Sequence, residues 1–274
     1  MRPLLVSLFA ALSLGLAPAV QAFPVQADAD APPAKVEVWS LQQTGEIGSA
    51  IFIQDRAAWR ATDVLLAHID GETDHGLIGW IVVEQGDARL VRFLSGDPAA
   101  PLPGYDILVD KNGDAGPAIK SKDAVLPDDQ VAHYLARNTA IANVGALRCT
   151  ANFNTVVLDD PDSDSWLVWL LAATSESDVV PMGGHYRFHV SADGRTLEKR
   201  EQLSGGCLNM DRPPAAPDGE VLGIGTTVLV APQPLEIHVF LSLLNRLPIY
   251  VMAGDKIWSV EGALIQEVDS SKIR

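Results

Sequence analysis

The chain has 274 residues, 47% apolar and 20% charged, with 20 Lys and Arg against 35 Asp and Glu and only two Cys. This composition excludes collagen-like, coiled-coil, low-complexity and disordered chains and leaves enough apolar residues for one sizeable core or two small ones. The formal charge of 20 − 35 = −15 disfavours nucleic acid and anionic membrane surfaces, because that affinity comes from cations that neutralise phosphates.

Arg2, the apolar run Leu4 to Leu16, Pro18 and the small-residue segment Ala19 to Ala22 follow the order of a secretory signal peptide, residues 1–22. Cleavage after Ala22 leaves 274 − 22 = 252 residues with a charge of 19 − 35 = −16. The apolar run is shorter than the roughly 20 residues a bilayer needs. The later stretch Thr227 to Met252 is interrupted by Glu236, His238, Asn245 and Arg246. The expectation is a soluble protein, exported to the periplasm or secreted, with no stable membrane insertion after cleavage.

Residues 23–35 read as a flexible leader, 36–118 as an N-terminal α+β subdomain and 127–269 as a C-terminal one. Lys35 to Trp39 alternates with period two and predicts a strand. Asp55 is the predicted N-cap of a helix from Arg56 to Ile69, with Trp59, Thr62, Leu66 and Ile69 on its apolar face, His68 in its last turn and Gly71 stopping it. Leu77 to Val83 and Arg89 to Leu94 predict a hairpin, and Tyr105 to Val109 another strand. Pro127 at the first helical position opens a second helix to about Val144, with Val131, Tyr134, Leu135, Ile141 and Ala142 inward and Gly145 as C-cap.

Strands follow at Thr155 to Leu158, Trp166 to Ala172, His185 to Val190, Thr196 to Leu203 and Glu220 to Val230. A third helix, Pro234 to Asn245, carries Ile237, Phe240, Leu241 and Leu244 at helical spacing. A hairpin of Ile249 to Met252 and Lys256 to Val260 closes the chain. The class is α+β with antiparallel sheets, about three helices and two small subdomains. In an oxidising compartment the two cysteines, Cys149 and Cys207, predict a disulfide.

No complete catalytic motif is present: there is no H-E-x-x-H, G-x-S-x-G, G-x-x-x-x-G-K-[ST], C-x-x-C or G-x-G-x-x-G. Asp110 to Asp114 begins like an EF-hand loop, but Ala115 stands where the turn needs Gly and Ser121 where a bidentate Glu must close the site; Asn112-Gly113 reads as a tight turn. The acidic cluster Asp159, Asp160, Asp162 and Asp164 reads as a solvated loop. On a strand, His185, Arg187 and His189 share one face and Tyr186, Phe188 and Val190 the other. The aromatic set makes the better core face, which leaves the first three exposed or lining a cleft, and His238 is placed on a helix surface or in a subunit contact. No third ligand completes a zinc set, so no metal or other cofactor is expected.

The order from the second helix through a meander, strand, helix and closing hairpin resembles the JAMM/MPN metalloprotease fold. Its His-x-His-Pro zinc motif is replaced here by Gly225, Thr226 and Thr227, and His238 stands near the expected Asp, so the resemblance implies a degenerate relative without zinc ligands. Gly183-Gly184-His185-Tyr186-Arg187 and Val190-Ser191-Ala192-Asp193-Gly194-Arg195 are similar to segments of uncharacterised secreted proteins of Gram-negative bacteria. The catalytic residues stay unknown. The leading expectation is a non-catalytic binding or interaction module for an unidentified protein or small molecule. The alternative is an exported hydrolase, metal-dependent or built from His185, His189, His238 and nearby carboxylates; a third reading is a structural role through self-association.

Overall fold

The computed structural model describes residues 34–69, 76–214 and 223–269, all within one compact unit. The signal peptide, most of the leader, Gly71 and the start of the strand expected at Glu220 lie outside the described residues.

The first helix, α1, is twice the expected length, because its cap is Ser40 and not Asp55. The Ser40 hydroxyl accepts the Gln43 amide at 3.2 Å, and the Gln43 side chain accepts the Ser40 amide at 3.3 Å, a reciprocal capping box. The helix runs Leu41–His68, 28 residues and about 42 Å long. Its buried face is also not the expected one. Trp59 is 55% exposed and Leu66 also faces solvent, while Gly45, Gly48, Ala57, Ala58 and Ala61 are buried with Ile51 and Leu65. Small residues win because neighbouring backbone comes close: a Cβ on Gly48 would stand 2.5 Å from that of Val239.

Four strands follow, β1 Leu77–Gln85, β2 Ala88–Asp97, β3 Ala100–Val109 and β4 Ile119–Lys120, in an antiparallel sheet of that order. One face packs Val91, Phe93 and Ile107 on Ala61 and Leu65 of α1. On the other, Ile81 and Leu94 meet Tyr134 of the second helix. That helix, α2, spans Asp128–Ala142; Pro127 is its N-cap instead of its first residue, and Asn143 caps its end instead of Gly145. Its buried positions are Ala132, Tyr134, Ala136 and Ala140, with Ile141 exposed. Two sheets grip it, so alanines replace the broad apolar stripe that packing on a single sheet predicts.

Strands β5 Phe153–Asp159, β6 Trp166–Ala172, β7 Val179–Pro181, β8 Tyr186–Val190, β9 Leu197–Gln202 and β10 Asn209–Asp211 come next. The second sheet has the order β5-β6-β8-β9, and β7 pairs separately with β10. Val168, Leu170, Tyr186 and Phe188 meet Ala136 and Ala140 of α2. Val156, Leu167, Trp169 and Leu171, on the opposite face, enter the largest core. Strand β11 Ile224–Thr227 is shorter than expected; it pairs in parallel with β12 Ile249–Ala253 across helix α3 Glu236–Asn245, and β13 Lys256–Glu261 and β14 Leu264–Val268 complete an antiparallel run. α3 is wedged between this sheet, α1 and the second sheet. Even its polar residues Glu236, His238 and Ser242 are buried, and of its predicted apolar stripe only Leu244 stays exposed.

The segment Lys35 to Trp39 is extended but belongs to no sheet; the Val36 amide donates to the Val230 carbonyl at 3.1 Å, and Val36 and Trp39 are buried. The class is α+β, as expected. Cys149 and Cys207 are bonded, with Cα atoms 5.3 Å apart. This ties the segment after α2 to the loop between β9 and β10. Gly184 permits it: with φ +88° and a Cβ that would lie 2.5 Å from the Cys149 Cβ, no other residue fits.

Candidate ligand-binding cleft

His185, Arg187 and His189 do share one face, but that face is not open. α3 and the segment around Trp39 cover it, so His185 and Arg187 are fully buried and His189 is half-buried. Arg187 donates from Nε to Glu201 at 2.7 Å, from Nη1 to Glu236 at 3.0 Å and from Nη2 to the Glu37 carbonyl at 2.7 Å, and its guanidinium lies 4.2 Å from the centre of the Trp39 ring. Glu201 also accepts the Glu37 amide at 2.7 Å, and the Lys199 ammonium lies 3.0 Å from it. Burial pushes the Glu201 carboxyl up, but the hydrogen bonds from His189 and Arg187 and the Arg187 charge outweigh it and hold the group well below the usual range. Donor atoms of Glu37, His189 and Glu201 lie within 4.8 Å of one another, a spacing that suits a metal ion. Lys199, 3.0 Å from both glutamates, and Arg187 already supply positive charge there. The cluster is an ion network that fastens strand to helix.

His238 is likewise buried instead of lying on a helix surface. Its Nδ1 lies 2.9 Å from the Leu235 amide and 3.1 Å from the Leu235 carbonyl, and the residue lines a small cavity of about 190 Å³. His185 has both nitrogens occupied, Nδ1 by the Ala172 amide at 3.0 Å and Nε2 by the Pro181 carbonyl at 2.8 Å. Burial pushes both imidazoles down to about 4, so they stay neutral at pH 7. The three histidines do not gather in one cleft: His189 turns to Glu201, while His185 and His238 are buried on their own backbone partners. Asp110 closes its loop as a turn, accepting the amides of Asn112 at 2.8 Å and Asp114 at 2.9 Å.

A different site joins the two halves of the chain. A cleft of about 310 Å³ opens where α1, α2, β1, β5 and β6 meet. Its floor includes Gln54, 6% exposed, whose side-chain amide has no hydrogen-bond partner among the described residues. His133 forms one wall, edge-on to Trp166 with ring centres 5.5 Å apart. Both of its ring nitrogens are shut from solvent without a partner, and burial, aided by the Arg137 charge, pushes the imidazole down to about 4. Val82 and Val157 supply apolar surface, and Glu84, Asp129 and Asp159 bring three carboxylates. Burial and then the charges of Glu84 and Asp129 push the Asp159 carboxyl up. The lining contains no Ser, Thr, Tyr or Cys, so no side-chain hydroxyl or thiol is at hand as a nucleophile.

Of these residues only Asp159 stood out in the sequence, as part of an acidic turn. Gln54, Glu84, Asp129, His133 and Trp166 come from four elements without a shared spacing, so no local pattern announces them. No protein-family model and no curated protein matches the chain.

Proposed function

We propose that the protein is an exported, non-catalytic binding module that takes a small ligand in the cleft between its two halves. His133 carries this reading. Both of its ring nitrogens are shut from solvent without a partner, and a buried polar group in that state costs about 1–3 kcal/mol, a penalty that a ligand's polar group offsets. The cleft's volume lies at the small end of ligand pockets, and its combination of apolar walls with a few convergent polar groups is typical of them. Export is supported by the signal-peptide-like N-terminus and by the disulfide. The relation to a zinc-free metalloprotease-like fold has only the order of elements from α2 to β13 in its favour.

Asp159 supports the competing reading. A carboxyl pushed up beside two others is suited to donate a proton, as in an exported carboxylate-based hydrolase. One experiment separates the two: a thermal-shift screen of the mature protein and its Gln54→Leu variant against small polar molecules, with each hit then incubated and followed by mass spectrometry. Binding predicts hits that stabilise the parent, lose their effect in the variant and are recovered unchanged. Hits that are cleaved, or that stabilise both proteins equally, overturn it.

A further inference from the structure

The three cleft carboxylates are poorly neutralised. Arg89 lies 3.0 Å from Glu84, but Asp129 and Asp159 have no cationic partner among the described residues. The nearby arginines are committed elsewhere: Arg92 binds Asp106, Asp123 and the Gln130 side chain, and Arg137 lies over the Trp80 ring with its Nε on Thr155. An inorganic ion fits badly. Among the described residues the one group of three acidic or His donors at metal-ion spacing is Glu37, His189 and Glu201, so the three cleft carboxylates do not close together around a single ion as a set. A larger cation with its charge on a short apolar body matches that spread, and the Gln54 side-chain amide, without a partner among the described residues, lines the same cleft.

Resting on the reading of the cleft as a ligand site, we propose that it binds a compact organic cation, an alkylammonium or guanidinium group held by Glu84, Asp129 and Asp159 with the Gln54 amide beneath it. The formal charge of −15 draws such ligands toward the protein. Trp166 and His133 give the apolar part an aromatic wall.

The test is NMR titration of the mature protein, reading the Gln54 side-chain NH₂ and the Trp166 indole N–H, with four matched probes. These are 2-phenylethylamine (cation), 2-phenylethanol (neutral), 3-phenylpropanoate (anion) and N-acetyl-lysine methylamide, which presents the cation as a protein side chain does. The amine is expected to shift both signals saturably and to bind at least tenfold tighter than the alcohol and the anion. Asp129→Asn with Asp159→Asn, isosteric changes at exposed positions, is expected to erase that preference while leaving the rest of the spectrum in place. Equal or tighter binding by the alcohol or the anion at these signals overturns the cation inference and leaves the binding module standing. No response at either signal from any probe overturns both. A lysine probe that outbinds the free amine assigns the same chemistry to a protein side chain, against the free small molecule proposed here.

Discussion

Arg187→Met removes a guanidinium from the interior while keeping much of its volume. The substitution deletes three hydrogen bonds and the contact with Trp39. Glu201 retains Lys199, His189 and the Glu37 amide. Glu236 does not fare as well: it is fully buried, its Oε2 has no partner, and its Oε1 keeps only the Trp169 indole at 2.9 Å. Leaving a buried charge without its partner costs roughly 3–5 kcal/mol, a large part of the roughly 5–15 kcal/mol that holds a typical fold. Neutralising the orphan by adding Glu236→Gln is expected to return about 2 kcal/mol or more, because the stranded charge dominates the loss. Urea unfolding at pH 7, followed by Trp fluorescence and circular dichroism at a constant m-value, measures both. A loss under about 1 kcal/mol for the single variant, or a double variant no more stable than the single, refutes the view that this network holds α3 to β8 and β9.

Acid is expected to weaken the fold. His133, His185 and His238 are held near 4 against an ordinary 6.5, so each contributes stability that is complete above about 6.5 and drains away as the pH falls toward 4. Asp55, pushed up to about 6 by burial against the lowering effect of Asn154, acts oppositely: its contribution is full below 3.8 and lost as the pH rises through 6. Three histidines outweigh one aspartate, so the urea midpoint should fall between pH 6.5 and 4, and a flat profile contradicts the burial of the imidazoles. Reducing the Cys149–Cys207 bridge, 58 residues apart, should cost up to about 4 kcal/mol, read as a lower thermal midpoint in reductant. Gly184→Ala should destabilise by more than the usual ~1 kcal/mol of a point change, because its Cβ meets Cys149 and its φ is +88°; an unchanged midpoint argues against that close approach.

The sequence by itself determined the α+β class, three helices, the hairpins of Leu77 to Val83 with Arg89 to Leu94 and of Ile249 to Met252 with Lys256 to Val260, and the bonding of Cys149 to Cys207. These rest on short-range rules: turn chemistry, 3.6-residue or two-residue periodicity, and the pairing of two cysteines in an oxidising compartment. It also placed His185, Arg187 and His189 on one face of a strand. Whether that face met water was decided by α3 and Trp39, far away in the chain, which turned an expected open surface into a buried ion network. The same long-range packing chose the glycine and alanine face of α1 over Trp59 and Leu66, because the nearness of α3 depends on where the helices cross and not on local hydrophobicity. The cleft is the extreme case. Gln54, Glu84, His133 and Asp159 lie on separate elements, and only tertiary structure brings an unpaired amide and three carboxylates to one place.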